Sequence, residues 1–111
     1  MKTKTLRMIP ALCLMLPCLG SAVAVAENYT VEQSDKAFQP QNLTIKAGDT
    51  VEFLNNDPFF HNIFSLSESK FFDLGSFPQG ESRSITFENP GKVTVECAIH
   101  PQMQMTIEVE E

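Results

Sequence analysis

Near its C-terminal end the chain carries Cys97-Ala98-Ile99-His100-Pro101-Gln102-Met103-Gln104-Met105. Its other histidine, His61, stands 36 residues before Cys97. A thiolate, two neutral imidazoles and a weak axial thioether form the donor set of a mononuclear blue-copper centre. Sulfur donors suit Cu(I), and imidazole suits both oxidation states. A protein that fixes a geometry between the two preferences lets an electron come and go with little rearrangement. The expected ligands are His61, Cys97, His100 and Met103, holding one copper ion.

Each of these residues also has an ordinary reading. A lone buried cysteine is most often a small core hydrophobe, a histidine beside two phenylalanines is usually just packed, and C-x-x-H is common by chance. The joint pattern is rarer: one cysteine, both histidines and a methionine at the ends of predicted strands. Met103 and Met105 share inward parity, so alternation does not choose between them. Met103 is preferred because Met105, Ile107 and Val109 then make one continuous core face.

The first residues have the layout of an export signal. Lys2, Lys4 and Arg7 precede an apolar stretch from Ile9 to Leu19, and Ala24-Val25-Ala26 offers a cleavage site. The apolar run is short of the roughly 20 residues that span a bilayer. Residues 1–26 are therefore expected to be a secretory signal peptide, with one domain over 27–111 and no membrane insertion after cleavage. All 14 acids lie in that domain with five of the eight bases, a formal net charge of about −9. Such a surface repels nucleic acid and anionic lipid. Cys13 and Cys18 would leave with the signal, so Cys97 cannot form a disulfide within the chain. An unpaired thiol in an oxidising compartment calls for an occupant, and a metal also stabilises a small domain.

Strands must position the donors. Tyr29–Gln33 is a short candidate. Leu43, Ile45, Val51 and Phe53 alternate with polar residues across a Lys46–Asp49 turn. Asn55–Pro58 reads as a loop, His61–Ser65 as a strand, and Ser67–Gly80 as a loop with short extended pieces. Ser82–Phe87 alternates again, and Asn89-Pro90-Gly91 is a turn. Val93, Val95 and Cys97 share one face, as do Met103, Met105, Ile107 and Val109. No helical period is sustained. The expectation is an all-β Greek-key sandwich of seven to eight strands, its gap filled by the nine phenylalanines. His61 is expected in the sheet opposite Cys97, so that the metal would join the two sheets.

From Phe38 to Val109 the chain resembles the plastocyanin/amicyanin branch of the cupredoxins. The resemblance rests on Phe38-Gln39-Pro40, Leu43 to Val51, His61-Asn62, Pro90-Gly91-Lys92-Val93 and Cys97 to Met103. It implies an eight-stranded sandwich with a type-1 copper at one end. It further implies that Asn62 helps fix the ligand segments and donates its backbone N–H to the Cys97 sulfur. His100 would lie near the surface as the electron exit, framed by Pro58, Phe59, Phe60 and Pro101.

The function expected is single-electron transport between exported redox proteins met transiently, by a monomer in the bacterial periplasm. The alternative is a periplasmic copper carrier or storage protein, or a zinc module. An enzyme is not expected, since catalytic copper in this fold needs further histidines.

Overall fold

A computed structural model describes residues 25–111. The expected signal peptide, residues 1–26, lies outside the described residues except for its last two. Nine strands run through the described part: β1 Asn28–Ser34, β2 Ala37–Gln39, β3 Asn42–Lys46, β4 Asp49–Asn55, β5 His61–Ser67, β6 Lys70–Phe77, β7 Ser82–Phe87, β8 Gly91–Cys97 and β9 Gln104–Glu110. They form two sheets, of order β2-β1-β4-β7 and β3-β9-β8-β5-β6. The chain changes sheet repeatedly, and parallel pairings of β1 with β4 and β3 with β9 tie distant segments together. The all-β sandwich of the sequence reading is present, with more strands than the seven or eight expected.

Alternation explains most of these strands. Val51 and Phe53 of β4, Val93, Val95 and Cys97 of β8, and Met105, Ile107 and Val109 of β9 are all buried between the sheets. Their polar neighbours face outward.

Two elements depart from the sequence reading. β2 is three residues long, below what a periodicity can reveal. β6 is one eight-residue strand where a loop with short extended pieces had been expected. Its pattern is disguised by a bulge: Asn62 of β5 pairs with Ser76, but Phe64 pairs with Asp73, so β6 carries one extra residue. Phe72 and Phe77 therefore both point inward at an odd separation, while Phe71 is 72% exposed. Nor do all nine phenylalanines fill the core. Phe38, Phe53, Phe72, Phe77 and Phe87 are buried, each worth about 1.5–3 kcal/mol when fully removed from water. Phe59 is half-buried and Phe60 lies at the surface.

A third correction concerns the site. β5 lies beside β8 in the same sheet, with Ile63 opposite Cys97. His61 and Cys97 thus belong to one sheet, and the thirty-odd residues between them are spent on a hairpin partner and one excursion to the other sheet. What joins this end of the sandwich to the opposite sheet is the β4–β5 connection, residues 56–60.

Candidate metal centre

β5 and β8 are antiparallel, so the first residue of one and the last of the other meet at the same end of the sheet. That register sets His61 against Cys97, with His61 Nδ1 3.6 Å from Cys97 Sγ. The chain turns immediately after Cys97, and His100 brings its own Nδ1 to 3.9 Å from the same sulfur. The Met103 N–H donates to the His100 carbonyl at 2.9 Å and closes this turn. The Ala98 N–H donates to the Asn62 carbonyl at 3.0 Å, holding the Cys97 and His61 segments together.

One ligand atom from each of His61, Cys97 and His100 lies within 4.8 Å of the others. A first-row ion bonded at about 2.3 Å to sulfur and about 2.05 Å to nitrogen would separate the two donors by about 3.8 Å at 120°. The two sulfur–nitrogen distances straddle that value, so the donor set fits one metal ion, which His61, Cys97 and His100 would hold. His61, Cys97 and Met103 are wholly buried, and His100 is half-buried.

The surroundings protect this cluster. The Phe59 ring centroid lies 5.3 Å from that of His61 and 5.1 Å from that of His100. Lys36 places its ammonium 5.5 Å from the Phe59 centroid. Burial holds the His100 imidazole below its usual pKa, and the nearby Lys36 ammonium acts in the same direction. A neutral ring is the form that can ligate a metal.

Sequence reasoning had passed over Asn55, the last residue of β4, and Asp57 in the connection that follows it. Asn55 is fully buried. Its amide donates to the carbonyls of Phe59 at 2.8 Å and Phe77 at 3.0 Å, and its Oδ1 accepts the Asp57 N–H at 2.8 Å. Asp57, 4% exposed, accepts the His61 Nε2–H at 2.7 Å. An ionised carboxylate only accepts, so a proton sits on Nε2, and in the neutral ring it is the Nδ1 lone pair that faces the sulfur. Burial alone would raise the Asp57 pKa. The hydrogen bonds from His61 and from the Lys36 and Asp35 amides outweigh it and hold the group below its ordinary value. The signal available was a buried-type Asn-x-Asp just ahead of a ligand, which reads as a polar loop until its partners are known.

A sandwich with one thiolate and two imidazoles converging at its end is a copper-binding architecture. Residues 25–110 match the family of copper binding proteins, plastocyanin/azurin family, and the chain belongs to that family. It is similar to a plastocyanin of Ulva prolifera, 34% identical over 92 residues, covering 67% of this chain and 87% of that one. The chain spans about half the length of the chloroplastic plastocyanins it matches, 55% of that from Fritillaria agrestis at 29% identity. Among solved structures, a copper-containing nitrite reductase from Thermus scotoductus superposes with a TM-score of 0.71 at 33% identity, over 76% of this chain but 22% of that one. A reduced amicyanin mutant superposes with a TM-score of 0.70 at 24% identity, over 81% and 88% of the two chains, a likeness of fold.

Proposed function

We propose that this protein is a type-1 copper electron carrier, with His61, Cys97 and His100 as the strong ligands and Met103 as the weak axial one. The observation that carries the reading is the convergence of both imidazole Nδ1 atoms on the Cys97 sulfur at 3.6 and 3.9 Å. Bound copper would supply a one-electron Cu(II)/Cu(I) couple. The protein's own part is to keep the donors in place. β5 and β8 fix two of them by sheet register, and the Met103–His100 turn bond fixes the loop that carries the third. Phe59 covers the imidazoles against water.

Met103 is favoured over Met105 by its setting. Met105 pairs with Val95 across β8 and β9 and has its place in the core face of the last strand. Met103 precedes that strand, is 1% exposed and is bonded to the His100 backbone.

His100, half-buried and flanked by the exposed Ile99 and Pro101, is the route for electrons. Phe60, 53% exposed, and Ile99, 49% exposed, give that end an apolar surface suited to brief contact with a redox partner. The chain has two histidines in all, both in this centre, so no imidazole remains for a second, catalytic copper. Cleavage after residue 26 would deliver the carrier to an exported compartment, the bacterial periplasm.

The test is to add Cu(II) to the purified mature protein and record the visible spectrum and a voltammogram. An intense blue thiolate band with a reversible one-electron wave is expected. A colourless product would refute the carrier and favour a copper-storage or zinc-binding role.

A further inference from the structure

A short, buried polar tie beside the candidate centre lies outside the ligand set. Asp57 Oδ2 accepts the His61 Nε2–H at 2.7 Å and the Lys36 N–H at 3.0 Å, and Oδ1 accepts the Asp35 N–H at 2.7 Å. Asp35 and Lys36 form the two-residue turn between β1 and β2, with positive φ of 55° and 57°. That turn belongs to the sheet opposite His61. Asp57 itself is anchored through its N–H to Asn55 Oδ1 at 2.8 Å. One carboxylate therefore joins a ligand on one sheet to a turn on the other.

We propose that Asp57 is a positioning residue for His61 that also lowers the reduction potential of the centre. This rests on the electron-carrier reading and deepens it. The positioning follows from hydrogen bonding: an acceptor-only carboxylate holds the proton on Nε2, fixes the ring plane and keeps Nδ1 directed at Cys97 Sγ. The potential follows from charge. Between the oxidised and reduced states the centre changes by one positive charge while the ligands stay the same. A fixed negative charge on the outer nitrogen of a ligand makes that imidazole a better donor and favours the more positive, oxidised state. With His61 0% and Asp57 4% exposed, water and salt screen the interaction little.

The experiment is protein-film or solution voltammetry of the copper-loaded protein beside Asp57→Asn and Asp57→Ser, with Glu108→Gln as a surface-carboxylate control. Both Asp57 variants should keep a blue band. Their affinity for Cu(II) should fall about tenfold more than their affinity for Cu(I), the low end of the usual loss for such partners, which raises the potential by ~59 mV. Glu108→Gln should leave it unchanged. Asp57→Ser removes the charge without turning an amide NH2 toward the turn's N–H groups, so it covers the case in which Asp57→Asn does not fold. In the wild-type Cu(I) protein, long-range proton–nitrogen NMR should find a slowly exchanging proton on His61 Nε2. A blue wild type whose Asp57 variants show no shift, or a rapidly exchanging Nε2 proton, overturns the role of Asp57 alone. A wild type without a blue band overturns the carrier reading and this one with it.

Discussion

Asn55→Ala is the most informative structural perturbation, because Asn55 organises the connection that delivers His61 without touching the metal. Its side chain makes three hydrogen bonds, to the Phe59 carbonyl, the Phe77 carbonyl and the Asp57 N–H, from a position that is 0% exposed. Each such bond contributes about 1 kcal/mol net, and a partner left dry and unpaired costs about 1–3 kcal/mol. Three losses together give about 3 kcal/mol as the expected destabilisation. For a domain of this size, about 1 kcal/mol moves Tm by roughly 4–8 °C, so a fall of roughly 12–24 °C should follow. The assay is thermal and urea unfolding of the metal-free mature protein with Cys97 kept reduced, so that ligand binding adds nothing to the measured stability. Asn55→Asp should be no better, because a carboxylate would then face two carbonyl oxygens. A loss below about 1 kcal/mol for Asn55→Ala would mean that the three partners are satisfied elsewhere, and would refute the assignment of this residue as the keystone of the connection.

Three further outcomes are expected. Cys97→Ser should abolish the blue band while the metal-free protein keeps its strand content by circular dichroism, since the two side chains are similar in size. Met103→Leu should retain blue copper at a changed potential, whereas Met105→Leu should alter stability alone; a shift confined to Met105→Leu would reverse the axial assignment. Lys70 Nζ reaches both carboxylate oxygens of Glu88, at 3.1 and 2.8 Å, and its hydrogen bonds hold the Glu88 pKa below the ordinary value. A depressed carboxylate stabilises the fold above its unfolded pKa and loses that contribution as pH falls through the folded one. Lys70→Met should therefore raise the Glu88 midpoint in an NMR titration and weaken the pH dependence of stability on the acid side. An unmoved midpoint would show the pair to be without effect.

The sequence carried the parts of the fold that follow from side-chain parity. β4, β8 and β9 alternate cleanly, and their inward residues are the ones found buried. Parity failed at β6, where the bulge against Asn62 and Phe64 changes which residues face inward, and a bulge leaves no mark on composition. Strand order failed as well. Nothing in the spacing of His61 and Cys97 says whether thirty-six residues return to the same sheet or cross to the other, because pairing partners are set by long-range contacts. The convergence of His61, Cys97 and His100 was readable because the scarce residue types Cys and His coincide within four positions and a second His stands upstream. Asn55 and Asp57 were not, because Asn and Asp are common in loops, and only burial distinguishes a loop residue that carries a site from one that is merely hydrated.

The correction about the sheets changes how the centre keeps its shape. Had His61 and Cys97 stood on opposite sheets, the metal would have been the bond between layers, and its geometry would have followed any movement of one layer over the other. With both on one sheet, their separation is fixed by the β5–β8 register, and a one-residue slip would turn His61 to the other face altogether. Layer movement is instead resisted by the Asp57 carboxylate, held by two turn amides and the His61 ring. A site built this way holds its donors by sheet register and hydrogen bonds, and in the proposed carrier the same rigidity would keep rearrangement between the two oxidation states small.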